Sequence, residues 1–195
     1  MNRDEMLEKV RQAMPEKRFI HTLGVEETAI KLAKIYFESE EKASIAAILH
    51  DYAKYIDDAK ARDIIVQEKM NPEFLRYQNA IWHAPVGAYL AEHEFGITDE
   101  AILDAIRWHT TGTENMSTLD KIIFLADYTE PGRDFPGVDE ARKITAASLD
   151  KGMLFALGRT IGYLASKEQP IFPDTFLAYN HYAFLIKEGD VLKFE

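Results

Sequence analysis

At 195 residues, with 47% apolar and 29% charged side chains, the chain has the composition of a globular protein that buries one substantial core, which excludes a disordered tail. It contains no cysteine, so disulfides, thiolate metal sites and a cysteine nucleophile are excluded, and any metal must be held by imidazole and carboxylate. A net charge of −10 opposes long-range attraction of DNA, RNA or anionic lipid, no apolar run reaches the length of a membrane span, and the polar start Met1-Asn2-Arg3-Asp4-Glu5 is no secretory signal, so a cytoplasmic protein is expected.

The first helix is expected over residues 4–14, with Met6, Leu7, Val10 and Met14 on one stripe and Pro15 stopping it. A longer one follows over 16–37, where His21, Val25, Thr28 and Leu32 share a face and His21 looks inward. Residues 40–55 form the next. Ala43, Ala46, Ala47 and His50 lie on one face by the 3.6-residue period, so this imidazole points into the core beside the carboxylate of Asp51, with Lys54 one turn beyond. Such a pair is unfavourable when buried unless something pairs with both groups, and a divalent metal does. Residues 57–69 are amphipathic through Ala61, Ile64 and Ile65 and carry no chemistry.

Asn71-Pro72 restarts the chain into a short helical segment. Pro85 suits the first turn of the following helix, which Gly96 ends, so His83 is expected on a constrained loop just ahead of the helix. His93, between Glu92 and Glu94, reads as an exposed residue at the helix C-terminus. A helix starting at Thr98-Asp99-Glu100 repeats the apolar spacing in Ile102, Ala105, Ile106 and His109, then breaks at Thr110-Thr111-Gly112-Thr113. Two hydroxyls and a glycine there suit a phosphate cradle, and equally a plain helix C-cap. Ser117 and Asp120 can cap a helix that is apolar nearly all round, through Leu119, Ile122, Ile123, Leu125 and Ala126, until Asp127 interrupts it. The turn-rich loop over 128–137 carries Arg133. Residues 138–167 and 173–187 are helical again, with His181 accounted for by packing. No strand, repeat or long linker is apparent, so the expectation is an all-α single domain over 1–195, with a motif-bearing core at about 18–149 and C-terminal helices from 150.

His21, His50, His83, His109, Asp51 and Asp127 sit on separate helical elements, which can converge on one core site in a bundle. Six ligands exceed the needs of one tetrahedral zinc and suit two octahedral ions, with Asp51 as the bridge. Imidazole and carboxylate without thiolate favour iron or manganese, while zinc, cobalt or nickel can enter the same site.

This ordered set, His21, His50-Asp51, His83, His109, Asp127, resembles the signature of the HD-domain metal phosphohydrolases. The surrounding words are narrower: Arg18-Phe19-Ile20-His21-Thr22-Leu23-Gly24, Leu49-His50-Asp51-Tyr52-Ala53-Lys54, His83-Ala84-Pro85-Val86-Gly87, His109-Thr110-Thr111-Gly112 and Ala126-Asp127-Tyr128-Thr129-Glu130-Pro131-Gly132-Arg133. They resemble the YqeK-type branch, the bacterial symmetrical bis(5′-nucleosyl)-tetraphosphatases. The resemblance implies an HD-domain helical bundle with a dinuclear, most characteristically di-iron, centre that hydrolyses diadenosine tetraphosphate at its central phosphoanhydride to two ADP. It implies the six residues above as metal ligands, Asp51, Lys54 and Arg133 in catalysis, and Lys54, Thr110, Thr111, Gly112 and Arg133 on phosphates. Tyr128, Phe135 and Trp82 are candidates for the adenine pocket because aromatics stack on bases. The expected partner is a small dinucleoside polyphosphate, with no nucleic-acid duplex and no membrane, and a homodimer is expected as the commonest symmetric assembly. The alternatives are an HD-superfamily nucleotide phosphohydrolase of other specificity, a di-iron oxygenase, and a nucleotide sensor without turnover.

Overall fold

The computed structural model describes residues 1–191, and side chains as far as 188. Among these residues the regular structure is entirely helical. Asn2 caps α1 (Arg3–Gln12) through a reciprocal capping box with Glu5, and Pro15 both ends that segment and opens α2 (Glu16–Ile35). Ser39 caps α3 (Glu40–Leu49), and Asp57 caps α4 (Asp58–Gln67) with bonds from the amides of Ala59 and Lys60. A 3₁₀ turn at Pro72–Arg76 leads into α5 (Asn79–Phe95), which ends on left-handed Gly96. Then come α6 (Glu100–Trp108), α7 (Thr118–Thr129), α8 (Val138–Ala147), α9 (Leu149–Ser166) and α10 (Pro173–Val191).

Three boundaries differ from the sequence expectation, each for a local reason. The helix expected over 40–55 stops at Leu49, because the backbone tightens into three-residue turns, Tyr52 N–H to Leu49 O and Lys54 N–H to Asp51 O. The helix expected to start near Pro85 starts at Asn79, so His83 is helical and not on a loop. Pro85 removes one intrahelical bond, but Trp82, Ala84, Val86, Gly87, Ala88 and Leu90 are all buried around it, and their packing carries the helix through. The helical stretch over 138–167 is two helices, since Ser148 is extended and its side chain accepts the Lys151 amide to begin the second.

α2 packs along α3 and α7, and α6 along α5, α3 and α7; α9 and α10 lie against each other, with α9 also touching α7 and α8. Ala43, Ala46 and Ala47 let α3 approach its neighbours closely, at no exposed area. One apolar cluster extends from Met6 and Val10 through Ile48, Ile106 and Leu125 to Met153 and Tyr182. A second gathers Ala61, Ile65, Phe74, Trp82, Val86 and Phe172 beside α4 and α5. No helix of the described residues is long and apolar enough to cross a membrane.

Candidate metal centre

The six residues singled out by the sequence meet in one place. His21 comes from the second turn of α2, His50 and His109 from the C-caps of α3 and α6, His83 from the second turn of α5, Asp51 from the turn after α3, and Asp127 from the last turn of α7. Three of the histidines donate Nδ1–H to a backbone carbonyl at 2.7 Å: His50 to Ala47, His83 to Asn79 and His109 to Ile106. His21 instead places Nδ1 at 3.0 Å from Oε1 of Glu130. Each bond fixes the tautomer and leaves Nε2 as a lone pair, so four lone pairs are aimed into the cluster.

They converge on carboxylates. The two oxygens of Asp51 are divided between two pairs of histidines. Oδ2 lies 3.1 Å from His50 Nε2 and 3.7 Å from His21 Nε2, whereas Oδ1 lies 3.4 Å from His83 Nε2 and 3.9 Å from His109 Nε2. Asp127 Oδ1 lies 3.0 Å from His21 Nε2 and 4.0 Å from His50 Nε2, and the Nε2 atoms of His83 and His109 face each other at 3.1 Å. His21, His50 and Asp127 form one group able to hold an ion, and His50, Asp51 and His109 another.

Acceptor atoms packed this closely repel unless a cation lies among them. His21 Nε2, His50 Nε2 and both oxygens of Asp51 are buried and receive no hydrogen bond, although the Arg18 guanidinium lies against Asp51 Oδ2. Orphaned buried acceptors of this kind fit metal ions, and nothing in the donor set conflicts with them. Electrostatics agrees at His83, His109 and Asp51. Burial, then the Lys54 ammonium, push the His83 imidazole down to about 4. Burial, and then the neighbouring His50, hold His109 well below its usual range, so His83 and His109 both present the neutral form a metal needs. Burial alone favours the neutral acid of Asp51, but its pairing with His50 more than reverses this and keeps the carboxylate ionised. Burial likewise pushes the His50 imidazole down, and Asp51 overrides it, so the net shift is upward.

Around this core stands a cationic wall. Lys54 Nζ lies 3.3 and 3.2 Å from the two ring nitrogens of His83, and burial lowers its ammonium below the ordinary lysine range. Arg133 donates through Nε to Asp127 O at 2.8 Å and through Nη2 to Asp127 Oδ1. Thr110 Oγ1 is 3.1 Å from Nε2 of both His83 and His109. Arg18, Lys54, His83, His109, Thr110 and Arg133 all line a 250 Å³ cavity over the cluster.

Not every residue of the sequence reading reaches it. Thr111 is buried with its hydroxyl donating to Gly112 O, and a Cβ on left-handed Gly112 (φ +68°) points at Leu157, Ala178 and Met116, so this turn packs against α9 and α10. Trp82 lies in the second apolar cluster, its indole N–H donating to Phe74 O at 2.6 Å, away from the cavity. Tyr128 does line the cavity, and its ring meets Phe135 edge-on at 5.0 Å.

Three residues were missed. Arg18 stands one turn before His21 on the same face, a signal the sequence did offer. Glu130 is buried, grips the Gly132 amide, and presses so close to α2 that a Cβ on Gly24 would stand 2.7 Å from its Oε2. Arg142, on α8, donates to the carbonyls of Thr129, Glu130 and Arg133 at 3.0, 2.9 and 3.0 Å, buckling the loop that carries both Glu130 and Arg133. Neither of these last contacts has a local sequence signal, since both depend on how the loop folds back.

Comparison with known proteins bears on the same residues. The model of the HD domain matches residues 18–132, a segment that contains all six cluster residues. The chain is 50% identical over 180 residues to the Bacillus subtilis (strain 168) symmetrical bis(5′-nucleosyl)-tetraphosphatase, covering 92% of this chain and 97% of that one. It is 48% identical over 180 residues to the protein of the same description from Halalkalibacterium halodurans, covering 92% and 96%. Among solved structures, a Clostridium acetobutylicum protein described as a predicted HD superfamily hydrolase involved in NAD metabolism superposes with a TM-score of 0.90 at 40% identity, covering 94% of this chain and 97% of the other.

Proposed function

The chain belongs to the HD-domain family, and from that membership we propose that it is a symmetrical bis(5′-nucleosyl)-tetraphosphatase, hydrolysing diadenosine tetraphosphate at the central phosphoanhydride to two ADP. The observation that carries the chemistry is Asp51, buried, ionised and divided oxygen by oxygen between two pairs of histidines. We assign His21, His50, Asp51 and Asp127 to one metal, and Asp51, His83 and His109 to a second. Iron is the assignment we favour for a donor set of imidazole and carboxylate. When bound, such a pair supplies Lewis acidity toward a phosphoryl oxygen and toward water.

The other residues bind and orient. Lys54 and Thr110 face the half of the cluster built on His83, and Arg18 and Arg133 the half built on Asp127. Cations on both sides of the centre suit a polyphosphate laid across it, and their charge-assisted hydrogen bonds strengthen as negative charge builds on the oxygens between them. Glu130 holds the ring of His21 in place without itself reaching the cavity over the cluster.

An anaerobic assay of iron-loaded protein with diadenosine tetraphosphate, resolving ADP, AMP and ATP, tests this reading. ADP alone is the expected product. AMP with ATP would overturn the symmetry of cleavage, and turnover that waits for oxygen would replace the hydrolase with an oxygenase. Sedimentation of the metal-loaded chain tests the homodimer.

A further inference from the structure

Two larger cavities adjoin the one over the cluster. A cavity of 830 Å³ between α2 and the loop after α7 shares Arg18 and Arg133 with it. On the other side, a cavity of 610 Å³ between the Tyr128–Phe135 ring pair and α9 shares Tyr128 and Thr160 with it. Phe135 lines both of the larger spaces. Each is of a size that holds a small ligand, and the shared residues place both directly beside the cationic wall.

The α9 side has a further peculiarity. Gly158 and Gly162, one turn apart, form part of its wall with Arg159 and Tyr163. A glycine inside a helix weakens the helix, so it calls for a reason. Gly158 has its reason in Tyr179 of α10, whose ring would stand 3.3 Å from an added Cβ, but for Gly162 the packing of the described residues gives none, because an added Cβ would meet none of their atoms within 4 Å. Opposite this bare stretch stand two aromatic rings, and Tyr163 is 63% exposed. A flat strip of helix facing aromatic side chains is a slot of the kind that accepts a planar base.

We propose that the slot between Tyr128, Phe135 and the turn of α9 left bare at Gly162 binds one of the two nucleosides of the substrate, while the other lies in the groove beside α2. The proposal rests on the functional reading above and adds to it the feature that makes the substrate two-headed. α9 lies outside the segment matched by the HD domain, so the family core supplies the centre and α9 closes the slot for the second base against Tyr128 and Phe135. The base stacks where Gly162 leaves out a side chain, and the phosphates between the two grooves pass through the cavity over the cluster, past His83, His109 and Asp127, with Arg18, Arg133 and Lys54 around them.

The test compares two substrates on one variant. Gly162→Phe fills the slot from a position with open space around it, so the fold is preserved, and Gly162→Ala serves as the small control. For diadenosine tetraphosphate, loss of one stacked base should raise KM by about 10- to 100-fold in Gly162→Phe, while kcat/KM for adenosine 5′-tetraphosphate, whose one nucleoside has the α2 groove, stays within about twofold. ADP formed by Gly162→Phe at an unaltered KM would overturn the slot while leaving the functional reading intact. So would equal losses on both substrates, or a change of oligomeric state on sedimentation, which would mark the face as an interface between copies. Wild-type protein that forms no ADP would overturn the functional reading and the slot together.

Discussion

Trp82 and His83 are neighbours on α5 and serve opposite ends of the molecule's economy of polar groups. Trp82 enters the second apolar cluster, where its one donor is satisfied by Phe74 O and stacked Phe74 and Phe172 surround it. His83 enters the other side, where Nδ1 is tied to Asn79 O but Nε2 faces a second imidazole and a carboxylate. Both residues are buried to a similar degree. Burial alone therefore does not separate structure from chemistry; the state of the buried polar atoms does. Where each finds a partner the region stabilises the fold, and where buried acceptors face one another the region has the donor set of a ligand site.

The contrast is broken most severely at Asp51. Asp51→Asn removes the charge shared by both pairs of histidines and should abolish metal uptake and lower kcat by at least about 10⁴-fold, read by metal analysis and product chromatography. On the other side, Trp82→Ala should lower stability by about 3–5 kcal/mol in urea unfolding while leaving KM unchanged. A KM shift in that variant would erase the distinction between the two regions. Lys54→Ala probes the cationic wall, and should leave metal content intact while kcat/KM falls by about 10- to 100-fold. The smallest effect is expected for Glu130→Gln, which keeps a hydrogen-bond acceptor for His21 but loses its charge. Metal affinity should weaken by about 10-fold in a chelator competition, with Glu130→Ala weaker still.

Much of the metal cluster was legible because its histidines recur at helical spacing behind small apolar residues, as in Ala46, Ala47 and His50 or Ala105, Ile106 and His109. Asp127 was legible as a charge in an otherwise apolar helix. What escaped was whatever depends on the direction in which a turn folds. The Thr110-Thr111-Gly112 turn sends one hydroxyl to the cluster, turns the next back onto Gly112 O and packs the glycine against α9 and α10, and no spacing rule distinguishes them. Proline at position 85 pointed to a helix start, and burial of both flanks overrode it. Glu130 sits beside a proline in a turn-rich stretch, where a carboxylate reads as solvated; only the return of that loop onto α2 makes it a partner of His21.

Arg142 carries a consequence for how this protein can be divided. It lies beyond residue 132, where the match to the HD domain ends, yet three carbonyls around that boundary depend on its guanidinium. A fragment trimmed to the family segment would keep the six cluster residues but lose both Arg133 itself and the buckle that sets Glu130. The edge of the shared sequence is therefore no seam in the molecule: α8 buckles the loop, and Met153, Leu157 and Tyr182 of α9 and α10 complete the main apolar cluster, so neither a truncation nor a fusion joint belongs between residue 132 and α10.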